Sequence, residues 1–526
     1  MLLLLLLSVH LVASQTIWPQ PQQIATFDQF MLIDPFSFDF LVDQNVFNCN
    51  ITNEALRRYS SLLFDRRCQG DKSPIHRSAG GPLPHPLLSA MSVSFQNCEQ
   101  FPFEGMDESY AIRIGDKQEA SLTATSSWGV IRGLETFSQI IFPANETLSG
   151  LFLVKHTEII DYPRFLYRGV MIDTARHFIP MAILKQNLDA MAFNKMNVFH
   201  WHLVDDQSFP YQSIRFPELH QQGAYNNKTH VFSQKDVQEI IEYARLRGIR
   251  VIPEFDTPGH TLSWNAIPHL LTQCYDKDVP SRKFGPMNPI LNSTYEFLNQ
   301  FMEEIAYVFP DHDMHVGGDE VDFSCWESNP RIRDFMQKEG LAGSYVLQQM
   351  FMSQLMEITD RLGKNHIVWQ EVFDKGAKLS SRSTVHVWLG NHPEEWQAKL
   401  KEITDSGVRA ILSSPWYLNH ISYGIDWQPF YHAEPLGFHA SEAQKKLVVG
   451  GSVCMWSEFV DGGEVMARTW PRASAVAERL WSSKDTRKTW WAAKRIQRMQ
   501  CLMQQRGIRV GTIHGPAFCA CDHTFQ

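Results

Sequence analysis

Several things are missing from this sequence. It has no dense lysine–arginine block, and its 48 basic residues are outnumbered by 57 acidic ones. The resulting net charge of −9 argues against a nucleic-acid binder. After the first residues no apolar run reaches membrane length, so no bilayer-spanning helix is expected. No Cys-x-x-Cys occurs among the nine cysteines, and Cys519-Ala-Cys521 is too isolated for a metal site, which leaves disulfides as the expectation. No Gly-rich phosphate loop comes after the first strand of the main region, which sets aside an open doubly wound nucleotide-binding sheet.

What is there belongs to a globular protein, 44% hydrophobic and 20% charged. At 526 residues the chain suits a large barrel with a smaller companion domain. Residues 1–14 hold six consecutive leucines and then Val12-Ala13-Ser14, the outline of a secretory leader without its basic start. Sequons at Asn50, Asn145, Asn227 and Asn292 become usable on that route, so a lysosomal or secreted protein is expected. An odd cysteine count leaves at least one thiol unpaired.

Residues 15–162 read as an α+β domain, with alternating strands over 91–95 and 110–114 and a helical stripe over 128–141. Residues 70–86, rich in Gly, Pro, Ser and His, read as an exposed loop and a processing site. From 163 to 526 the pattern becomes strand, loop, helix, repeated, with a helical tail. Strands are expected over 169–173, 197–203, 250–255, 313–316, 366–370, 385–388, 410–413 and 447–450. Ser233 with Asp236 makes a capping box for an intervening helix that Gly248 stops. Eight strands alternating with helices are what a (β/α)₈ TIM barrel requires, so the fold class is α/β.

Function is read from the residues at and just beyond the end of each strand, because those positions meet at the C-terminal rim of a barrel. In order come Asp173 with Arg176, then His200-Trp201-His202 with Asp205-Asp206, and then Glu254, Asp256 and His260. Next are Asp319-Glu320, Trp369 with Glu371, Trp388, Trp416-Tyr417, and finally Trp456 with Glu458. Acids among several tryptophans point to carbohydrate chemistry, since indole faces stack on sugar rings while carboxylates and Arg bind hydroxyls. A glycosidase needs one acid to protonate the leaving oxygen and a second group to support the oxocarbenium-like carbon. Asp319 and Glu320 are covalent neighbours and awkward on opposite sides of one bond. The nucleophile then comes from another strand (Asp205, Glu371 or Glu458) or from the substrate. Bland readings stand beside these: Arg176 as an ion pair with Asp173, the tryptophans as core. His200 and His202 share a face as core histidines or, in a metal-dependent hydrolase, as ligands; hydrogen-bonded core residues and no metal are the preferred reading.

Long ordered motifs carry a resemblance. They are Arg-Gly-x-x-x-Asp-Thr-x-Arg-His from Arg168, His-Trp-His-Leu-Val-Asp-Asp from His200 and Glu-Phe-Asp-Thr-Pro-Gly-His from Glu254. Further along are Gly-Gly-Asp-Glu-Val-Asp from Gly317, Val-Trp-Gln-Glu from Val368, Pro-Trp-Tyr-Leu-Asn from Pro415 and Cys-Met-Trp-x-Glu from Cys454. The chain thereby resembles the lysosomal β-N-acetylhexosaminidases of glycoside hydrolase family 20, which are substrate-assisted retaining enzymes. The N-terminal region matches more loosely, through Arg132 to Gln139.

The resemblance implies Glu320 as general acid and then base, with Asp319 holding the acetamido N–H of the sugar. Asp205 and His260 form a supporting relay, and Tyr417 bonds the acetamido oxygen. Trp369, Trp388 and Trp456 wall the acetyl methyl, Arg176 and Glu458 bind sugar hydroxyls, and Asn419 is a further substrate-binding residue. It also implies disulfides Cys49–Cys98, Cys274–Cys325 and Cys501–Cys519 with Cys454 free, leaving Cys68 and Cys521 open. No cofactor is implied; the partner is a GlcNAc- or GalNAc-terminated glycan or glycolipid, and subunits pair as homo- or heterodimers. Ser452 replaces a frequent glutamate just below the last rim position. Asn419-His420 stands where one mammalian subunit type has Asn-Arg and accepts anionic sugars, and the other has Asp-Leu. A catalytically inactive sugar-binding relative is the alternative, opposed by the intact Asp319-Glu320 pair and Tyr417.

Overall fold

The structure, a computed structural model, describes residues 17–65, 83–115, 119–144, 148, 150–420 and 422–522. The expected leader, the Asn145 sequon, Cys68 and positions 70–82 of the expected loop lie outside these residues.

The N-terminal region is a mixed sheet in the order Gln23–Ile33, Phe152–Asp161, Tyr110–Ile114, Ala120–Ala124, Ala90–Ser94, Asp39–Val42. Along Tyr110–Ile114 alternate residues face the core, as the period of a half-buried strand demands. Helices Asn50–Phe64 and Ser127–Ile140 contribute side chains to this domain's core. Ser126 caps the second helix by accepting from the amides of Trp128 and Gly129. Every residue of that helix is buried, because the barrel covers the side that an ordinary amphipathic helix turns to water. Its Arg132 donates to the carbonyls of Arg247 and Gly248 and to Glu108, whose carboxylate also takes Arg168 from the first barrel strand. Buried charges are tolerable here because each has its partner.

Eight parallel strands close the barrel: Tyr167–Asp173, Val198–Val204, Arg250–Phe255, Asp313–His315, Asn365–Trp369, Ser383–Val387, Arg409–Leu412 and Val448–Met455. The last runs to Met455, well past the expected end at 450. Gly450-Gly451 has the look of a stop, yet these glycines serve close packing. A Cβ on Gly450 would fall 1.8 Å from the Tyr167 carbonyl oxygen and one on Gly451 2.2 Å from the Trp416 ring. Ser452 lies inside this strand, fully buried against Gly169, and so belongs to the barrel wall.

Side chains two apart on a strand share a face. Tyr167, Val198, Ile252, Ile367, Ile411 and Val449 therefore form an apolar layer inside the barrel. Two residues further along their strands, toward the C-terminal ends, the interior becomes polar with His200, Glu254 and Trp369. Around the barrel, the expected capping box of Ser233 and Asp236 starts helix Gln234–Arg245.

A hairpin, Leu271–Asp276 with Val279–Met287, projects after the third strand and is tied down by Cys274–Cys325. Helix Thr489–Gln505 closes the chain, fixed by Cys501–Cys519 and by Arg495 on Glu478. Cys49 joins Cys98, Cys521 is also disulfide-bonded, and Cys454 is free and buried. Asn50, Asn227 and Asn292 lie among the described residues, all three exposed, and no described helix is long and apolar enough to cross a membrane.

Candidate active site

The fourth strand is only three residues long because the chain turns out of the sheet immediately after it. Gly317 and Gly318 take φ of 72° and 99°. A Cβ on Gly317 would lie 1.6 Å from Asp256 Oδ1, so glycine is required there twice over. Neighbours satisfy the exposed backbone: Trp369 N–H donates to the Gly317 carbonyl at 3.0 Å, Gln348 Nε2 to that of Gly318 at 2.8 Å, and Gly318 N–H to Asp256 Oδ1 at 2.8 Å. The kink ends the strand alternation that would send Asp319 and Glu320 to opposite faces. Glu320 itself holds a left-handed φ of 47°, a costly conformation for a side-chain-bearing residue and a frequent mark of functional sites. Asp319 is 6% exposed, whereas the Glu320 side chain is 59% exposed.

His260, also left-handed at φ 56°, faces both acids, with Nε2 3.7 Å from Asp319 Oδ2 and 3.6 Å from Glu320 Oε2. Its Nδ1 lies 3.1 Å from Asp205 Oδ1. Asp205 is fully engaged, accepting also from His202 Nε2 at 2.8 Å, Arg176 Nη2 at 2.9 Å and the Asp206 amide at 2.6 Å. Burial opposes its charge, but the histidine hydrogen bonds outweigh burial and hold the Asp205 carboxyl well below its ordinary range. Burial likewise opposes a charged His260, yet the Asp319 carboxylate and the bond to Asp205 raise it to about 9. His202, with both ring nitrogens on carboxylates, is raised to about 10 against the effect of burial. Arg176 spans the first and last loops, 3.0 Å from Asp173 and 3.8 Å from Glu458. Its guanidinium lies 4.9 Å from the Trp456 ring centre.

Beside the acids lies an aromatic cluster. Trp369 is 5.9 Å from Trp456 and 6.5 Å from Trp388 between ring centres, and Trp388 stacks on Tyr417 at 6.0 Å. The indoles are held by carboxylates, Trp369 donating to Glu254 and Trp388 to Glu371. Burial, with Cys454 adding to it, holds the Tyr417 hydroxyl well above its ordinary pKa, so it stays a donor. Asn419 lies two residues along the same loop, and its buried Oδ1 has no hydrogen-bond partner. His420 is exposed, its ring 5.6 Å from Tyr417.

Glu254 lies within the barrel interior. It accepts from His200 Nε2 and His202 Nδ1 at 2.7 Å each, so the pair read as possible metal ligands serve as donors to one carboxylate. A second chain runs from Gly317 N–H to His315 Nδ1, on to His386 and then to Ser413 and the Ser452 carbonyl. This direction requires neutral imidazoles. Burial lowers His315 to about 3 and pushes His386 well below its usual value.

The structure thus gathers Asp319, Glu320, Asp205, His260, Arg176, Trp369, Trp388, Tyr417, Asn419, Trp456 and Glu458 on one rim. Glu254, Asp256 and His202 enter the same network although sequence reasoning gave none of them a role there. The two-residue spacing of Glu254 and Asp256 places them on one face, but only the barrel shows what that face meets.

Against this geometry stand the comparisons. The model of glycosyl hydrolase family 20, catalytic domain, matches residues 165–484. The chain belongs to glycosyl hydrolase family 20. It is a glycoside hydrolase. A second model, described as beta-acetyl hexosaminidase like, matches residues 17–140 of this family 20 chain. Beta-hexosaminidase subunit alpha of Bos taurus is 47% identical over 531 residues, covering 99% of this chain and 98% of that protein. Beta-hexosaminidase subunit beta of Homo sapiens is 46% identical, covering 95% and 89%. Among solved family 20 structures, the Flavobacterium johnsoniae chitobiase superposes with a TM-score of 0.78 at 28% identity, covering 95% of this chain and 74% of that one.

Proposed function

We propose that the protein is an exo-acting β-N-acetylhexosaminidase that releases terminal GlcNAc or GalNAc with retention, using the substrate's acetamido group as nucleophile. The observation that carries this reading is the adjacent pair Asp319-Glu320 beside the cluster of Trp369, Trp388 and Trp456, while nearby carboxylates are committed elsewhere. Asp205 accepts from two histidines and an arginine, and Glu371 accepts from the Trp388 indole. Neither is a free nucleophile.

The exposed Glu320 donates its proton to the glycosidic oxygen as the bond to C1 breaks. The acetamido oxygen attacks C1, and Asp319 accepts the acetamido N–H and balances the positive oxazolinium. Tyr417 donates to the acetamido oxygen and fixes its line of attack, a proximity effect. Trp369, Trp388 and Trp456 enclose the methyl, and Arg176, Asn419 and Glu458 hold the ring hydroxyls. Glu320, now a carboxylate, takes a proton from water, which attacks C1 and reopens the ring. Cationic His260 faces both acids, 3.7 Å from Asp319 and 3.6 Å from Glu320, and is held in place by Asp205. A secretory destination, lysosomal or external, fits the disulfides, and pairing with a like subunit fits the relatives' description as subunits.

Release of 4-methylumbelliferone from GlcNAc and GalNAc β-glycosides tests the reading, with Glu320→Gln as the partner variant. The parent cleaves both and the variant loses at least about 100-fold, the value of a general acid. Full activity in the variant refutes the assignment of Glu320. A thiazoline mimic of the intermediate is expected to inhibit far better than GlcNAc, and equal inhibition counts against acetamido participation.

A further inference from the structure

Three buried polar atoms without a hydrogen-bond partner converge beneath the candidate acids: Asp256 Oδ2, Asp319 Oδ1 and His260 Nε2. Single ligating atoms of these residues lie within 4.8 Å of one another. An unpartnered buried polar atom is expensive, and the two carboxylate oxygens among these call for one cause. Asp256 Oδ1 is already taken by the Gly318 amide, which leaves Oδ2 facing Asp319, within hydrogen-bonding reach. Two carboxylate oxygens cannot bond unless one carries a proton.

We propose that Asp256 is a positioning residue for the Asp319 carboxylate: it carries a proton on Oδ2, donates it to Asp319 Oδ1, and so aims Asp319 Oδ2 at the substrate's acetamido N–H. The inference rests on the assignment of Asp319 above. The proton belongs on Asp256 because that group is 1% exposed and sees the negative charges of Asp319 and Glu254, whereas Asp319 sees the His260 cation. Burial and then the Asp319 charge push the Asp256 carboxyl well above its ordinary range. Asp256 also wedges the Gly317-Gly318 kink, so one side chain sets both the backbone and the rotamer of the residue that balances the oxazolinium.

Difference infrared spectra of the full chain, wild type minus Asp256→Asn at neutral pH, test the proton directly. A carboxylic-acid carbonyl band is expected in wild type, and its absence overturns the proposal. In kinetics, Asp256→Ala is expected to lower kcat by about 10- to 100-fold, the weight of one hydrogen bond to a charged group, with little change in KM. Asp256→Asn keeps a donor toward Asp319 and an acceptor for the Gly318 amide, and is expected to recover most of that loss with a flatter pH profile. Equal losses in Asn and Ala variants overturn the proposal. A cation shared by Asp256, His260 and Asp319 would remove the band and make activity sensitive to chelators, which also overturns it. Should the Ala variant not fold, the infrared comparison still decides. Full activity of Glu320→Gln would refute the site reading while leaving the band in place, so the two failures are distinguishable.

Discussion

Glu371 carries a pH dependence that a single isosteric change removes. Its Oε2 accepts from the Trp388 indole at 2.8 Å, and burial, then the nearby Asp319 charge, raise its pKa from 4.5 to about 7. A carboxyl whose folded value lies above its unfolded value weakens the fold only where it must ionise. The penalty is absent below about pH 4.5, grows between there and 7, and is complete above 7. The displacement corresponds to roughly 3 kcal/mol. Glu371→Gln keeps an acceptor for the indole and never ionises. Thermal or denaturant midpoints of the two proteins are therefore expected to agree closely at about pH 4.5. Near pH 8 the variant is more stable by about 2–3 kcal/mol, a rise of several degrees in midpoint. A difference of the same size at both pH values refutes the reasoning, because it would mean that shape and not charge sets the cost.

Asp205→Asn removes a partner of His260 and His202. It is expected to destabilise the protein by about 3–5 kcal/mol in mild acid, and the gap narrows as pH rises through 9 to 10, where the parent's histidines lose their protons too. Denaturation across that range checks it. Gly317→Ala meets both the left-handed backbone and Asp256, so a loss above about 2 kcal/mol and collapse of kcat are expected in unfolding and turnover assays. Arg176→Lys keeps charge but loses the fork that reaches Asp173 and Asp205 together, and kcat/KM on a GlcNAc glycoside is expected to fall about 10- to 100-fold. Activity is expected to survive prolonged dialysis against a chelator, since His200 and His202 already donate to Glu254.

Much of the barrel is legible in the sequence because parallel strands buried on both faces read as short apolar runs and polar residues mark their ends. Arg250–Phe255 matches the expectation residue for residue, and the other early strands differ by a few residues. The eighth strand does not, because glycine is ambiguous by chemistry. It permits a turn and equally permits a neighbouring backbone to approach, and only the packed Tyr167 and Trp416 reveal the second use. The helix Ser127–Ile140 has the spacing of an amphipathic helix, but spacing cannot say that a second layer will cover its other side. Within the site, residue types at strand ends identify the participants, while their partners depend on barrel stagger. Periodicity shows that Glu254 and Asp256 share a face, yet gives no means of knowing that one meets three imidazoles and an indole while the other meets Asp319.

Charge at the rim is arranged by depth. Glu254, Asp205 and Asp256, all nearly inaccessible, are neutralised by histidines, by Arg176 or, at Asp256, by a retained proton. Glu320 is different, since its side chain is more than half exposed and lies 3.6 Å from His260. A proton donor that must reload from water needs that openness, whereas a carboxylate that balances a transient cation gains from burial, because its field is screened less. The left-handed turn at Glu320 is what separates two neighbouring carboxyls into these two environments. That conformation costs about 1–2 kcal/mol, and it persists because the amide and carbonyl groups just before it are held by Trp369, Gln348 and Asp256.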